Sequence, residues 1–105
     1  MKLKIISFGF SNGIPRECYM IFDCRGIQNP YNDPTTRGLN GLDKRVAKQV
    51  LSHALTPSII SSINTFLRYK FSEKKNGTII GIGCAQGNHR SVVIAEKIAS
   101  IWRDL

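Results

Sequence analysis

Three short apolar blocks have the lengths and flanking residues of β-strands. The first, Lys2–Phe10, loosely alternates apolar and polar residues, and the third, Thr78–Ile82, follows a turn predicted at Lys74–Gly77. The second block, Tyr19–Phe22, is continuously apolar, which predicts a buried strand. We expect this second strand to deliver the residues that follow it to the carboxyl end of the sheet, namely Asp23, Cys24 and Arg25.

Three other stretches repeat apolar residues at helical spacing. The first begins after Asp43, which can cap it, and its apolar positions share one face: Val46, Ala47, Val50 and Leu51. The second runs to Phe71 and starts at Thr56, the predicted N-cap, followed by Pro57 in the first turn. The third is Val92–Trp102. These patterns predict three helices, one of them directly after the last strand.

The order of these elements predicts a single small α/β domain over residues 1–105, with a mixed or parallel sheet flanked by helices. The segment Gly26–Gly41, which contains two prolines, is predicted to be a long ordered loop. Ligands of open α/β sheets collect at the carboxyl ends of the strands. We therefore expect Asp23, Arg25, Asp33 and the loop after the third strand to share one site.

That last loop, Gly83–Ser91, has the pattern of an oxyanion-binding loop. A loop between a strand and a helix presents several backbone N–H groups and the positive end of the helix dipole to one point. The planar guanidinium of Arg90 matches two phosphate oxygens, and Gly83 and Gly87 carry no Cβ where the backbone must turn. The loop is therefore predicted to bind inorganic phosphate, sulfate or a small phosphorylated ligand.

Other interpretations of the same loop stay open. Its Cys-x-x-Gly-x-x-Arg-Ser spacing is also that of cysteine-dependent phosphatases, with Cys84 as nucleophile, Arg90 as phosphate clamp and Asp23 as general acid. Without a ligand, Cys84 would be a small buried apolar residue. Arg90 would then pair with a carboxylate, and Asp23 would serve as a capping or ion-pairing carboxylate. Gly83 stands where many such phosphatases have His, which favours a domain without catalytic activity.

The charge balance adds a preference for anionic partners. The chain has 15 Lys and Arg against 7 Asp and Glu, a net charge of +8. Such an excess favours phosphorylated or polyanionic partners. The basic residues form no contiguous tract, however, and no RNA-binding signature is present. Lys44, Arg45 and Lys48 lie on one predicted helix, and the next helix ends with Arg68, Lys70, Lys74 and Lys75. Contact with RNA is therefore expected to be weak and sensitive to salt.

Cysteine content and hydropathy narrow the class of protein further. The three cysteines, Cys18, Cys24 and Cys84, are odd in number and have no zinc-ligand spacing, so we expect a reduced, cytoplasmic protein without a metal or other cofactor. No apolar run approaches the roughly 18 residues that a membrane-spanning helix needs. No membrane association is expected.

A series of short motifs also carries a family resemblance. They are Ser7-Phe8-Gly9-Phe10, Gly13-Ile14-Pro15, Phe22-Asp23-Cys24-Arg25, Asn29-Pro30, Asp33-Pro34, Gly41-Leu42-Asp43-Lys44, and Gly83-Cys84 through His89-Arg90-Ser91-Val92. In these motifs the chain resembles the C-terminal domain of the RapZ family of RNase adapter proteins, over nearly its whole length. Because the chain lacks the P-loop motif of the family's N-terminal domain, it resembles the C-terminal domain standing alone.

The resemblance implies a domain that binds an amino-sugar phosphate, forms homo-oligomers and presents small RNAs to an endoribonuclease. The family loop has Thr, Gly and Lys where this chain has Ala85, Gln86 and Asn88, so a hydroxyl and a positive charge are lost. Tyr31 replaces a family His that follows Asn-Pro. The basic tail that the family uses for RNA has no counterpart after Trp102, which again predicts weak RNA binding.

Residues and resemblance together favour a non-catalytic sensor or adapter domain for a sugar phosphate or nucleotide, with the cysteine phosphatase as the alternative. The predicted ligand-binding residues are Cys84, Ala85, Gln86, Gly87, Asn88, His89, Arg90, Ser91, Asp23, Arg25 and Tyr31. Cys84, Arg90 and Asp23 would be catalytic only if the phosphatase alternative holds.

Overall fold

A single parallel sheet organises the chain in the computed structural model, which describes residues 2–73 and 77–103. Its strands have the order β1-β3-β2, and both pairings are parallel. The strands are β1 (Lys2–Gly9), β2 (Met20–Asp23) and β3 (Gly77–Cys84), and the helices are α1 (Lys44–Ser52), α2 (Thr56–Ser72) and α3 (Arg90–Trp102). Short 3-10 turns lie at Phe10–Asn12 and Pro30–Asn32. The predicted α/β class is confirmed, and the sheet is parallel.

The central strand β3 is covered on both faces. From Ile80 to Gly83 it alternates between isoleucine and glycine. Ile80 and Ile82 are fully buried on the face covered by the helices. On the opposite face, a Cβ at Gly81 would lie 2.7 Å from Ile21 Cδ1, and one at Gly83 would lie 2.5 Å from Phe8 Cζ. Side chains from the first part of the chain thus fill the space above these glycines.

The hydrophobic core lies between the sheet and the helices. All three helices contribute to the buried cluster around Ile80 and Ile82. The helix residues of this cluster are Val46, Val50, Ile63, Leu67, Val93, Ile94 and Ile98. Each fully buried side chain of this size contributes about 1.5–3 kcal/mol relative to exposure, so this cluster dominates the stability of the domain. The core fixes the carboxyl edge of the sheet, where β3 runs into α3.

Two details differ from the sequence-based expectations. The second strand was predicted to be buried and is instead an edge strand, in which Met20 is exposed and no residue is fully buried, because it pairs with β3 on one side only. Thr56 is not the N-cap of α2. The cap is Leu55, and the Thr56 hydroxyl donates to the carbonyl oxygen of Val50 at the end of α1.

Other local expectations are confirmed. The Asp43 carboxylate caps α1 by accepting a hydrogen bond from the Arg45 backbone N–H at 2.8 Å. The loop Gly26–Gly41 is ordered, with Asn29 capping its 3-10 turn. Residues 74–76 of the turn predicted at Lys74–Gly77 lie outside the described residues. Nothing in the described ranges forms a helix long and apolar enough to cross a membrane.

Candidate functional site

The loop between β3 and α3 crosses the carboxyl edge of the sheet and is held from two sides by backbone contacts. Gly87 has a φ of +84°, which favours glycine, and a Cβ there would lie 2.7 Å from the Gly9 backbone nitrogen. On this side the Ser11 N–H donates to the Ala85 carbonyl oxygen at 3.1 Å. On the other side the Gly41 N–H donates to the Asn88 carbonyl oxygen at 2.7 Å. The loop conformation is therefore set by neighbouring backbone.

Under this loop lies the Cys84 sulfur, within reach of several hydrogen-bond donors. The Ser91 N–H donates to Sγ at 3.3 Å, and Ser91 Oγ lies 3.2 Å from Sγ. Ser7 Oγ donates to Ser91 Oγ at 2.9 Å and so fixes the Ser91 hydroxyl. Burial acts to raise the pKa of Cys84, but hydrogen bonds from Ser91 and from the backbone of Gly87 and His89 outweigh it, and this pKa is lowered. The surroundings therefore shift Cys84 toward the thiolate relative to a free thiol.

Arg90 is buried at the first turn of α3 and points back toward the loop after β2. Its Nη1 donates to the carbonyl oxygens of Arg25 and Ile27, both at 2.9 Å. Its Nε is buried and has no hydrogen-bond partner among the described residues, and the same holds for His89 Nε2. Nη1 of Arg90 thus anchors the loop after β2. Arg90 Nε and His89 Nε2 have hydrogen-bonding capacity that no described residue uses.

A cavity of about 390 Å³ opens beside these residues. Its lining comprises Asn29, Tyr31, Cys84, Ala85, Gln86, Asn88, His89 and Arg90. All of these except Asn29 belong to the predicted ligand-binding set. Asn29 was missed, although it precedes Pro30 in one of the family motifs, and its Oδ1 accepts a hydrogen bond from the Tyr31 N–H at 3.0 Å. Gly87 in the loop and Ser91 in the first turn of α3 do not line the cavity.

Asp23 and Arg25 are near this edge but are occupied with each other. The Arg25 Nη2 donates to Asp23 Oδ2 at 2.8 Å, and its Nε lies within 3.1 Å of both carboxylate oxygens. Hydrogen bonds from the Arg25 side chain are the main cause of the lowered pKa of Asp23. Neither residue lines the cavity. An ionised, paired carboxylate is poorly suited to donate a proton to a leaving group.

Tyr31 forms the outer wall of the cavity and is 55% exposed. The Arg37 Nε donates to the Tyr31 carbonyl oxygen at 2.8 Å, and the Arg37 guanidinium carbon lies 4.9 Å from the centre of the Tyr31 ring. Arg37 thus contacts both the backbone and the ring of Tyr31 from within the Gly26–Gly41 loop. Within the described residues, no group of three or more His, Cys, Asp or Glu is placed to hold a metal ion.

These features define a small parallel α/β domain with a cavity at its strand–loop–helix turn. The chain belongs to the RapZ C-terminal domain family, whose sequence model matches residues 1–105.

Relatives from several bacteria support this assignment. The chain is 43% identical to a nucleotide-binding protein of Thermodesulfovibrio yellowstonii over 98% of its own length and 38% of the relative. It is 39% identical to a nucleotide-binding protein of Gluconobacter oxydans, over 96% of this chain and 33% of that protein. The chain therefore spans about a third of the length of the curated relatives it matches.

Proposed function

We propose that this chain is a non-catalytic regulatory domain that binds a small phosphorylated molecule in the cavity beside Cys84. One observation carries the proposal: Arg90 Nε and His89 Nε2 are buried next to the cavity without hydrogen-bond partners in the described chain. A buried polar atom without a partner costs about 1–3 kcal/mol, and native proteins rarely retain one without a reason. A ligand oxyanion would accept a hydrogen bond from the Arg90 Nε–H, and from His89 in the tautomer that carries its proton on Nε2.

The surroundings of the cavity support a phosphate group as that oxyanion. The N-terminus of α3, a helix of 13 residues, adds a partial positive charge beside His89 and Arg90. The net charge of +8 adds a long-range attraction for anions. A cavity of about 390 Å³ lies in the size range typical of small-molecule sites. A sugar phosphate or a nucleotide fits this combination of volume and charge.

Family membership supports the same class of ligand. The relatives are named nucleotide-binding proteins, and the resemblance to the RapZ C-terminal domain implies an amino-sugar phosphate. The resemblance also implies self-association and an adapter role with RNA, both of which we include in the proposal. Because Asn88 replaces the family Lys, we expect weaker attraction for the phosphate than in relatives that retain the Lys.

Calorimetric titration tests the proposal. An amino-sugar phosphate, a nucleoside monophosphate and inorganic phosphate are titrated into the protein, with the unphosphorylated sugar as the matched control. We expect binding of at least one phosphorylated compound and none of the unphosphorylated sugar. Equal binding of the sugar with and without phosphate would contradict the proposal, as would no heat with any of the three.

The cysteine phosphatase is the second candidate, and the donor set around Cys84 favours it. A thiolate with loop N–H groups directed at it can attack phosphorus, which forms an S–P bond and releases an alkoxide that needs a proton. Two observations oppose this candidate. Asp23, the proposed general acid, is ionised and paired with Arg25, and Cys84 is only 2% exposed. Turnover of a generic phosphomonoester by the native protein and its loss in Cys84→Ser would establish this candidate instead.

A further inference from the structure

Cys24 and Cys84 occupy neighbouring positions on adjacent strands. The last residues of β2 and β3 that pair are Asp23 and Gly83. The ladder continues with a 2.7 Å hydrogen bond from the Cys24 N–H to the Gly83 carbonyl oxygen, so the next residues to align are Cys24 and Cys84. Because side chains alternate along a strand, both cysteines face the helices, and both belong to the same buried cluster.

The spacing of neighbouring strands is compatible with a disulfide between these residues. Adjacent strands lie about 4.8 Å apart, and the Cα atoms of a disulfide are about 4.4–6.8 Å apart. In the structure both thiols are free.

The two thiols differ in access and ionisation. Cys84 lines the cavity but is only 2% exposed, so access is limited to a small oxidant such as hydrogen peroxide, and hydrogen bonds lower its pKa. Cys24 is fully buried, and burial together with the nearby Cys84 raises the pKa of Cys24 to about 12. This is the arrangement of an attacking thiolate with a second, less reactive thiol beside it.

We propose that Cys84 is a site of oxidation by peroxide and that Cys24 converts the oxidised form into an intramolecular disulfide. This inference goes beyond the proposed function, because it does not require that the cavity hold a phosphate. It concerns a chemical modification of the cavity wall.

The reaction has two steps. In the first, the Cys84 thiolate attacks one oxygen of hydrogen peroxide, the O–O bond breaks, hydroxide leaves, and Cys84 carries a sulfenic acid. In the second, the Cys24 sulfur attacks the Cys84 sulfur, the S–O bond breaks, and the hydroxyl group leaves as water with the Cys24 proton. The two thiols together lose two electrons, and the peroxide is reduced to water. The first step also removes the negative charge of Cys84, which lowers the barrier to ionising Cys24.

Cys18 supplies an internal control. It lies on the opposite face of the sheet, where a Cβ at Gly81 would come within 3.0 Å of its sulfur. The pKa of Cys18 is raised, mainly by burial, so its thiolate is disfavoured. It has neither the cavity nor the hydrogen-bond donors of Cys84. We expect Cys18 to remain reduced under mild oxidation.

Disulfide mapping of the peroxide-treated protein tests the inference. The reduced protein is exposed to stoichiometric hydrogen peroxide, free thiols are alkylated, and the digest is analysed by mass spectrometry. Trypsin leaves Cys18 and Cys24 on one peptide, Glu17–Arg25, so additional cleavage after Tyr19 and Phe22 is needed to separate them. We expect a peptide pair joined through Cys24 and Cys84, with alkylated Cys18.

Variants then separate the two steps. In Cys24→Ala the disulfide is lost, and a sulfenic acid on Cys84 is trapped by a sulfenate-specific probe. In Cys84→Ala both the disulfide and the trapped adduct are lost, whereas Cys18→Ala behaves as the native protein. The disulfide map of the native protein tests the inference by itself, even if a variant does not fold. A map in which Cys84 stays alkylated, or in which Cys18 replaces Cys24 as its partner, would overturn the inference.

Discussion

At the level of the single side chain, Arg90 combines an anchoring contact with a proposed role in ligand binding. Its Nη1 donates to the carbonyl oxygens of Arg25 and Ile27, while its buried Nε has no hydrogen-bond partner in the part of the chain that the structure describes. The sequence predicts Arg90 as a site residue because of its place in the loop motif. It could not predict the two carbonyl bonds, since these join residues more than sixty positions apart. Asn29 escaped prediction for the same reason.

Replacing Arg90 tests its proposed role in phosphate binding. We expect Arg90→Ala to weaken phosphate binding by about 1.5–3 kcal/mol, the range for hydrogen bonds to charged groups, as measured by calorimetry. The matched control is Arg25→Ala, which removes a nearby guanidinium that does not line the cavity and should leave the affinity within about 0.5 kcal/mol. Unchanged affinity in Arg90→Ala, in a variant that circular dichroism shows to be folded, would exclude Arg90 from the binding site.

The lowered pKa of Cys84 predicts a pH dependence of stability. Because folding favours the thiolate, Cys84 stabilises the native state above the unfolded thiol pKa of about 8.5, and this contribution is lost as pH falls through the lower folded pKa. The difference in free energy of unfolding between native protein and Cys84→Ser should therefore grow as pH rises from about 7 to 9.

Urea denaturation at several pH values measures this difference. The comparison with Cys84→Ser cancels the part of the opposite Cys24 effect that comes from burial, which is the largest cause of the raised Cys24 pKa and destabilises the folded state at alkaline pH in both proteins. A difference that is flat or that shrinks with rising pH would mean that the folded state does not favour the thiolate.

At the level of elements, the lengths and order of strands and helices follow from local sequence, but their exposure does not. The apolar run at Tyr19–Phe22 predicts a strand, and β2 is one, yet four apolar residues carry no information about neighbours. Tyr19 is 65% exposed, with its ring beside Phe66 and Lys70. The place of a strand at the edge or centre of a sheet depends on tertiary pairing.

The junction of β1, the loop and α3 depends on glycine. We expect Gly87→Ala to lower the free energy of unfolding by about 2 kcal/mol or more, because the substitution combines a positive φ with contact against the Gly9 backbone. Gly38→Ala is the matched control, since a Cβ at Gly38 meets nothing within 4 Å. Equal stabilities of the two variants in thermal or urea unfolding would contradict this account of the loop.

At the level of the whole molecule, self-association stays a prediction. Tyr69 is 62% exposed on α2, and Ile60 on the same helix is half-buried. We expect light scattering in the micromolar range to give the mass of a homo-oligomer, and Tyr69→Ser to lower it. Leu42→Ser, which removes a comparably exposed apolar side chain before α1, should have no effect. The mass of a monomer across the concentration range would refute the prediction.

The prediction about RNA also concerns the whole molecule, because it rests on the net charge of +8. We expect electrophoretic shifts with a structured RNA that are weak and decrease steeply between low and near-physiological salt. Substitution of Gln for Lys44, Arg45 and Lys48 together should reduce them further. Tight and salt-insensitive binding would show that specific contacts, rather than net charge, govern any interaction with RNA.

The two walls of the cavity have different mechanical character. The loop wall is fixed by backbone contacts with Gly9, Ser11 and Gly41. Tyr31 lies in the Gly26–Gly41 loop, which hydrogen bonds to Gln49 tie to α1, and its side chain is 55% exposed. In the proposed site, the loop wall would bind the group that all ligands share, whereas Tyr31 would face the rest of the ligand, and a change of that residue would leave the backbone contacts of the loop wall in place. In such a design, the selectivity of the domain can evolve independently of its anchoring chemistry.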